Sequence, residues 1–90
     1  MQMHGIVMTA ELVEVPNDPD SVEVHLMVQG VRPGQPRRIV IPMSVLIAQP
    51  EIEPEVIRGH GFEAEVVEEG PKRWIVESIQ FAARSVLRPE

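Results

Sequence analysis

Glu23 and His25 stand two residues apart in "VEVHLMV" (22–28). On a strand both side chains leave the same face, about 6.6 Å apart. A carboxylate beside an imidazole could begin a metal site or an acid–base pair, but a metal needs three or four converging ligands. No third ligand stands at a telling spacing, since His4 is near the chain start and His60 lies between two glycines. Glu63 and Glu65 repeat the two-residue spacing and could share acid–base work, although acids on a solvent-facing strand look the same. Ser21, Ser44, Ser78 and Ser85 lack a nucleophile-elbow context, and "GHG" at 59–61 is too short for a phosphate loop. The chain has no cysteine, which excludes a disulfide framework, a thiolate zinc site and a thiol nucleophile. The expectation is a non-enzymatic protein with no catalytic residues, metal or cofactor.

A second group of residues suits binding. Lys72, Arg73 and Trp74 follow the turn in "EVVEEGPKRWIVE" (65–77), and Arg32, Arg37 and Arg38 flank "RPGQ" (32–35). Lys and Arg neutralise phosphates, and an indole can stack a base for about 1–3 kcal/mol. These six are the candidate ligand-binding residues. Three features oppose a nucleic-acid ligand. The net charge is −6, with 14 acids against 8 Lys and Arg, so the overall field repels phosphate. "PNDPDS" (16–21) carries two acids and no base. The chain has one Trp, two Phe and no Tyr, and both Phe read as core. A structural role fits as well: Lys72 and Arg73 would balance Glu68 and Glu69 across a hairpin while Trp74 fills the interior.

The elements that position these residues follow from the apolar pattern. Residues 4–15 read as a first strand with Ile6, Met8, Ala10 and Leu12 inward. A turn fills 16–21, and 22–31 forms a second strand with Val22, Val24, Leu26 and Val28 inward. "RPGQ" suits a type II turn, with proline at the second position and glycine at the third. Residues 37–43 form a third strand with Ile39 and Ile41 inward, in which Pro42 marks an edge, a bulge or the strand's end. The stretch 44–61 does not alternate. Within it Glu53–Pro54 opens one short helix through Arg58, with Gly59 as its stop. Strands at 62–67 and 73–82 form a closing hairpin, with Phe62, Ala64 and Val66 inward. Trp74 and Val76 have one parity while Ile79 and Phe81 have the other, so one extra residue near Glu77–Ser78, a β-bulge, brings all four inward.

With 90 residues, 43% of them apolar, and nine prolines to interrupt helices, the chain reads as one all-β domain spanning 1–90. Five strands with a short helix between the third and fourth resemble the OB-fold, a five-stranded Greek-key barrel. The resemblance is one of pattern over nearly the whole chain. It implies binding on the face of strands 2 and 3 and on the 1–2 and 4–5 loops. An SH3-like barrel would place its helical turn before the last strand, where this chain has only "EEGPK".

The outward registers are not purely polar. Val7, Val13, Val15, Met27, Val31, Val40, Val67 and Ile75 fall on them, which calls for cover by 44–58, by the tail at 85–87, or by another chain. The expected function is therefore an interaction module for a protein partner or for self-association. The alternative is a single-stranded nucleic-acid-binding protein using the six basic and aromatic candidates. No basic stretch followed by an apolar run marks a signal peptide, and no apolar run nears the roughly 20 residues that span a bilayer. The expectation is a cytoplasmic protein away from membranes.

Overall fold

A computed structural model describes residues 1–85. The elements in chain order are β1 (Gln2–Val15), β2 (Asp18–Gln29), β3 (Arg38–Ile41), α1 (Met43–Ala48), α2 (Pro54–Ile57), β4 (His60–Glu68) and β5 (Trp74–Ser85). The strands form one sheet that closes on itself in the order β1-β2-β3-β5-β4. The fold is all-β, as the pattern predicts. No helix among the described residues is long and apolar enough to cross a membrane.

β1 closes the ring by pairing on both sides. Its first residues, Gln2–Ile6, run against β4, and from Ile6 onward it pairs with β2. The crossing point is Gly5. A Cβ there would lie 2.5 Å from the Gln29 carbonyl oxygen, so only glycine lets the two backbones approach this closely.

Just beyond, a register break between Val7 and Thr9 leaves Met8 as an extra residue. That bulge reverses the parity of β1. Met3 and Val7 are therefore the buried side chains of its first half, and Ala10 continues the inner face. The expectation of unbroken alternation fails here: Ile6 and Met8 are only half-buried, and Leu12 is 57% exposed. Leu12 keeps the inner parity but stands on the rim: its row, Leu12–Val24–Ile41, is the last that β3 reaches, and β4 pairs with β1 only as far as Ile6. Residues 13–15 pair with β2 alone. The end of the β1–β2 hairpin is thus a two-stranded ribbon with no third strand beside it. Its turn is tighter than 16–21 predicts, since Pro16 and Asn17 alone separate the strands and Asn17 takes φ 67°.

The rest of β2 alternates as predicted from Val24 on, with Val24, Leu26 and Val28 buried; Val22, also expected inward, is only half-buried in the ribbon. "RPGQ" forms its turn, with Gln35 N–H donating to the Arg32 carbonyl at 3.0 Å and Gly34 at φ +88°. β3 is short, because Pro42 ends it and starts a helix by accepting from the amides of Val45 and Leu46.

That helix, α1, corrects the expectation of a single helix in the crossing: there are two. α1 buries Val45 and packs Leu46 against the core. α2 begins at Pro54 as predicted, and Gly59 at φ +85° ends it by donating its amide to Val7 O at 2.7 Å.

The β4–β5 hairpin matches the sequence reading closely. Phe62, Ala64 and Val66 are buried. Glu65 pairs with Ser78 and Val66 with Val76, which leaves Glu77 as the bulged residue. Val76 and Ile79 are consequently both buried, and Trp74 and Phe81 pack partly against the same cluster. The weakest seam is β3–β5, joined by one parallel pair, Val40 with Ile75.

Candidate functional site

β2 carries Glu23, His25 and Met27 on the outside of the ring. Their partners are Val13, Glu11 and Thr9 on β1, and Val40 and Arg38 on β3 stand beside His25 and Met27. This is the three-stranded face on which the sequence places its most suggestive chemistry.

Glu23 is the unexpected member. An outward strand carboxylate should be solvated, yet Glu23 is only 4% exposed. Arg73 holds it, with Nη2 donating to Oε2 at 2.8 Å and Nη1 to Oε1 at 3.4 Å. His25 Nε2 donates to Oε1 at 2.8 Å. Burial pushes the Glu23 carboxyl up, but the bonds and charges of Arg73 and His25 together outweigh it, and its pKa lies below the ordinary glutamate value. Reciprocally, the bond to Glu23 raises the Arg73 pKa against a smaller opposing effect of burial. The pair ties the residue that enters β5 to β2, beside the seam that backbone pairing closes at one point only. Gln49 Nε2, donating to Ile79 O at 3.1 Å, adds a second side-chain tie to β5.

The six predicted binding residues occupy separate places. Arg73 turns to Glu23 rather than forming an ion pair with Glu68 or Glu69, because the β4–β5 corner brings it against the start of the β2 core. Trp74 directs its ring into the interior, where it is half-buried. Lys72 is exposed at φ 59° in the β4–β5 turn. Arg38 donates to Met27 Sδ at 3.6 Å. Met27 and Glu23 are four residues apart on β2, so the heads of Arg38 and Arg73 are anchored about 13 Å apart. Arg37 is exposed, and its carbonyl accepts from Val28 N–H. Arg32 lines a cleft of about 240 Å³ with Gln2, His4, Gln35 and Glu63, on the β1–β4 side of the ring.

The remaining candidates resolve more simply. His60 opens β4 and donates Nδ1–H to Ala82 O at 2.7 Å. Among the described residues no group of three or more His, Asp or Glu is placed to hold a metal. Glu63 and Glu65 are exposed on a polar face whose rows run Gln2–Glu65–Ser78 and His4–Glu63–Gln80.

That polar face contrasts with the other side of the ring. There the registers give a row His25–Val40–Ile75–Val67, with Met27 beside it. Val40 and Ile75 are buried yet lie outside the inner cluster. Met27 and Val67 are exposed. Of the other apolar residues expected outside, Val7 is interior after the β1 bulge, and Val31 packs against the core. Cover by the tail at 85–87 falls outside the described residues, apart from the backbone of Ser85.

Glu23 as a buried anchor was not legible in the sequence, because its partner lies 50 residues away. Comparison with family models, curated proteins and solved structures returns no match.

Proposed function

We propose that this chain is a non-enzymatic interaction module that binds protein through the apolar half of its outer sheet face, on an OB-like barrel. The observation that carries this reading is the pair of exposed apolar residues Met27 and Val67, set beside the buried Val40 and Ile75 on the outside of a ring whose core is already filled from within. A lone ring of strands needs one apolar face; a second, rimmed by Glu11, His25 and Arg38, fits a docking surface. The OB-like reading draws on the five-stranded closed order and the helical crossing after β3, and this group includes the β2–β3 face that such folds use.

The competing reading, single-stranded nucleic acid, draws on Arg32, Arg37, Arg38, Lys72, Arg73 and Trp74. It is the weaker one, because Arg73 is neutralised by Glu23, the indole faces inward, and the guanidinium heads stand apart.

Site-specific photo-crosslinking tests the proposal in cells that express the chain. A photoreactive residue at position 27 should give discrete protein adducts, and the same residue at Gln80 on the polar face should not. No adduct at 27, or equal adducts at both, overturns it.

A further inference from the structure

Two copies of a chain with net charge −6 repel each other unless they meet on surfaces that carry their own cations. A two-fold interface adds a stricter requirement: the patch must be complementary to itself. The outer face of β1–β2–β3 meets both conditions. Thr9, Glu11, His25, Leu26, Met27 and Arg38 line a groove of about 170 Å³ there. Thr9, Met27 and Arg38 form one row across the three strands, and Glu11, His25 and Val40 form the next. Glu11 and Arg38 therefore stand diagonally on either side of β2, about 12 Å apart by strand spacing. Their midpoint falls between His25 and Met27. A two-fold axis lying in the face, perpendicular to the Glu11–Arg38 line and passing between His25 and Met27, exchanges the acid with the base and brings the two Met27, and equally the two His25, near one another.

The charges are also uncommitted. Among the described residues the ion pairs are Glu23 with Arg73 and with His25, so neither Glu11 nor Arg38 is in one. The Arg38 guanidinium rests on the Met27 sulfur, a weak acceptor, at the mouth of the groove. Met27, at 42% exposure, supplies an adaptable apolar centre.

We infer that this face is a two-fold interface between two copies of the chain, with Glu11 of each copy paired to Arg38 of the other across Met27. This rests on the interaction-module reading and names its partner. Sedimentation velocity over a concentration series tests it. The wild type dimerises, and added salt weakens the dimer. Glu11→Arg and Arg38→Glu each place like charges opposite one another twice per dimer and raise the dissociation constant about tenfold or more. The double variant Glu11→Arg/Arg38→Glu recovers wild-type dimerisation. Melting curves check that each variant is folded, and Glu11→Gln, which keeps side-chain size, and Arg38→Gln, which removes the charge, give a smaller loss in the same direction. A dimer indifferent to the single reversals, or not recovered by the swap, overturns this face while leaving self-association standing. A wild type that stays monomeric to millimolar concentration overturns the dimer, and adducts of other proteins at position 27 would then still support the module.

Discussion

Replacing Arg73 by Met and Glu23 by Gln, singly and together, measures what the side-chain tie adds to a ring joined at β3–β5 by one backbone pair. The two partners are unequally buried: the Glu23 side chain is 6% exposed and that of Arg73 43%. Arg73→Met leaves a buried carboxylate with His25 as its remaining partner, and such an orphan costs about 2–3 kcal/mol. Glu23→Gln leaves a guanidinium that can turn into water, so the cost is smaller, about 1 kcal/mol. The coupling lies between that of exposed pairs and that of fully buried ones, about 1–2 kcal/mol. Urea unfolding of the four proteins at neutral pH reads all three quantities. The same cycle has a pH signature. Because the folded Glu23 pKa lies below its ordinary 4.5, the folded state binds fewer protons than the unfolded one in that region. The contribution of Glu23 to stability is therefore fully present above the ordinary value and is lost as pH falls through the folded one. Glu23→Gln should flatten this acid limb. A coupling under about 0.3 kcal/mol, or Glu23→Gln costing more than Arg73→Met, would refute the reasoning.

Three further outcomes follow from the geometry. Gly5→Ala should cost about 1–3 kcal/mol by urea unfolding, because its Cβ meets the Gln29 carbonyl at 2.5 Å; a neutral substitution would mean that β1 and β2 separate readily there. Val7→Ala should cost about 2–3 kcal/mol and Leu12→Ala within about 0.5 kcal/mol, and the reverse order would restore the unbroken alternation that the bulge at Met8 replaces. A fluorescent oligonucleotide titrated at low salt should neither bind nor change Trp74 emission; salt-dependent quenching would move the six basic and aromatic candidates back to the centre.

The parts of the fold that are legible in the sequence are those set by local pattern. The "RPGQ" turn, the β4 alternation and the Glu77 bulge depend on residues adjacent in the chain, and each appears as predicted. The β1 face is different. Its parity is set by a bulge at Met8 and by the close passage at Gly5, and both arise from strands that arrive later in the chain. Leu12 follows every local rule for an inward residue, yet it is exposed on the last row of the ring, where β4 no longer pairs with β1. α1 escapes notice because Pro42 reads as a strand end, and its second role, accepting the first helical amides, depends on where the chain turns next. In the candidate site, the outer apolar residues Met27, Val40, Val67 and Ile75 could be read from parity alone. The capture of Glu23 by Arg73 could not, since nothing in either local sequence distinguishes that pair from Arg73 with Glu68 or Glu69.

The central claim, that the Met27 face docks against protein, is tested most directly by oxidative footprinting with an internal reference. Met1 and Met27 have nearly equal exposure in the free chain, 43% and 42%. In dilute purified protein the two should oxidise at similar rates. In concentrated protein, or in extract of cells that express the chain, Met27 should oxidise several-fold more slowly while Met1 keeps its rate. Equal rates for the two methionines under every condition would contradict the account.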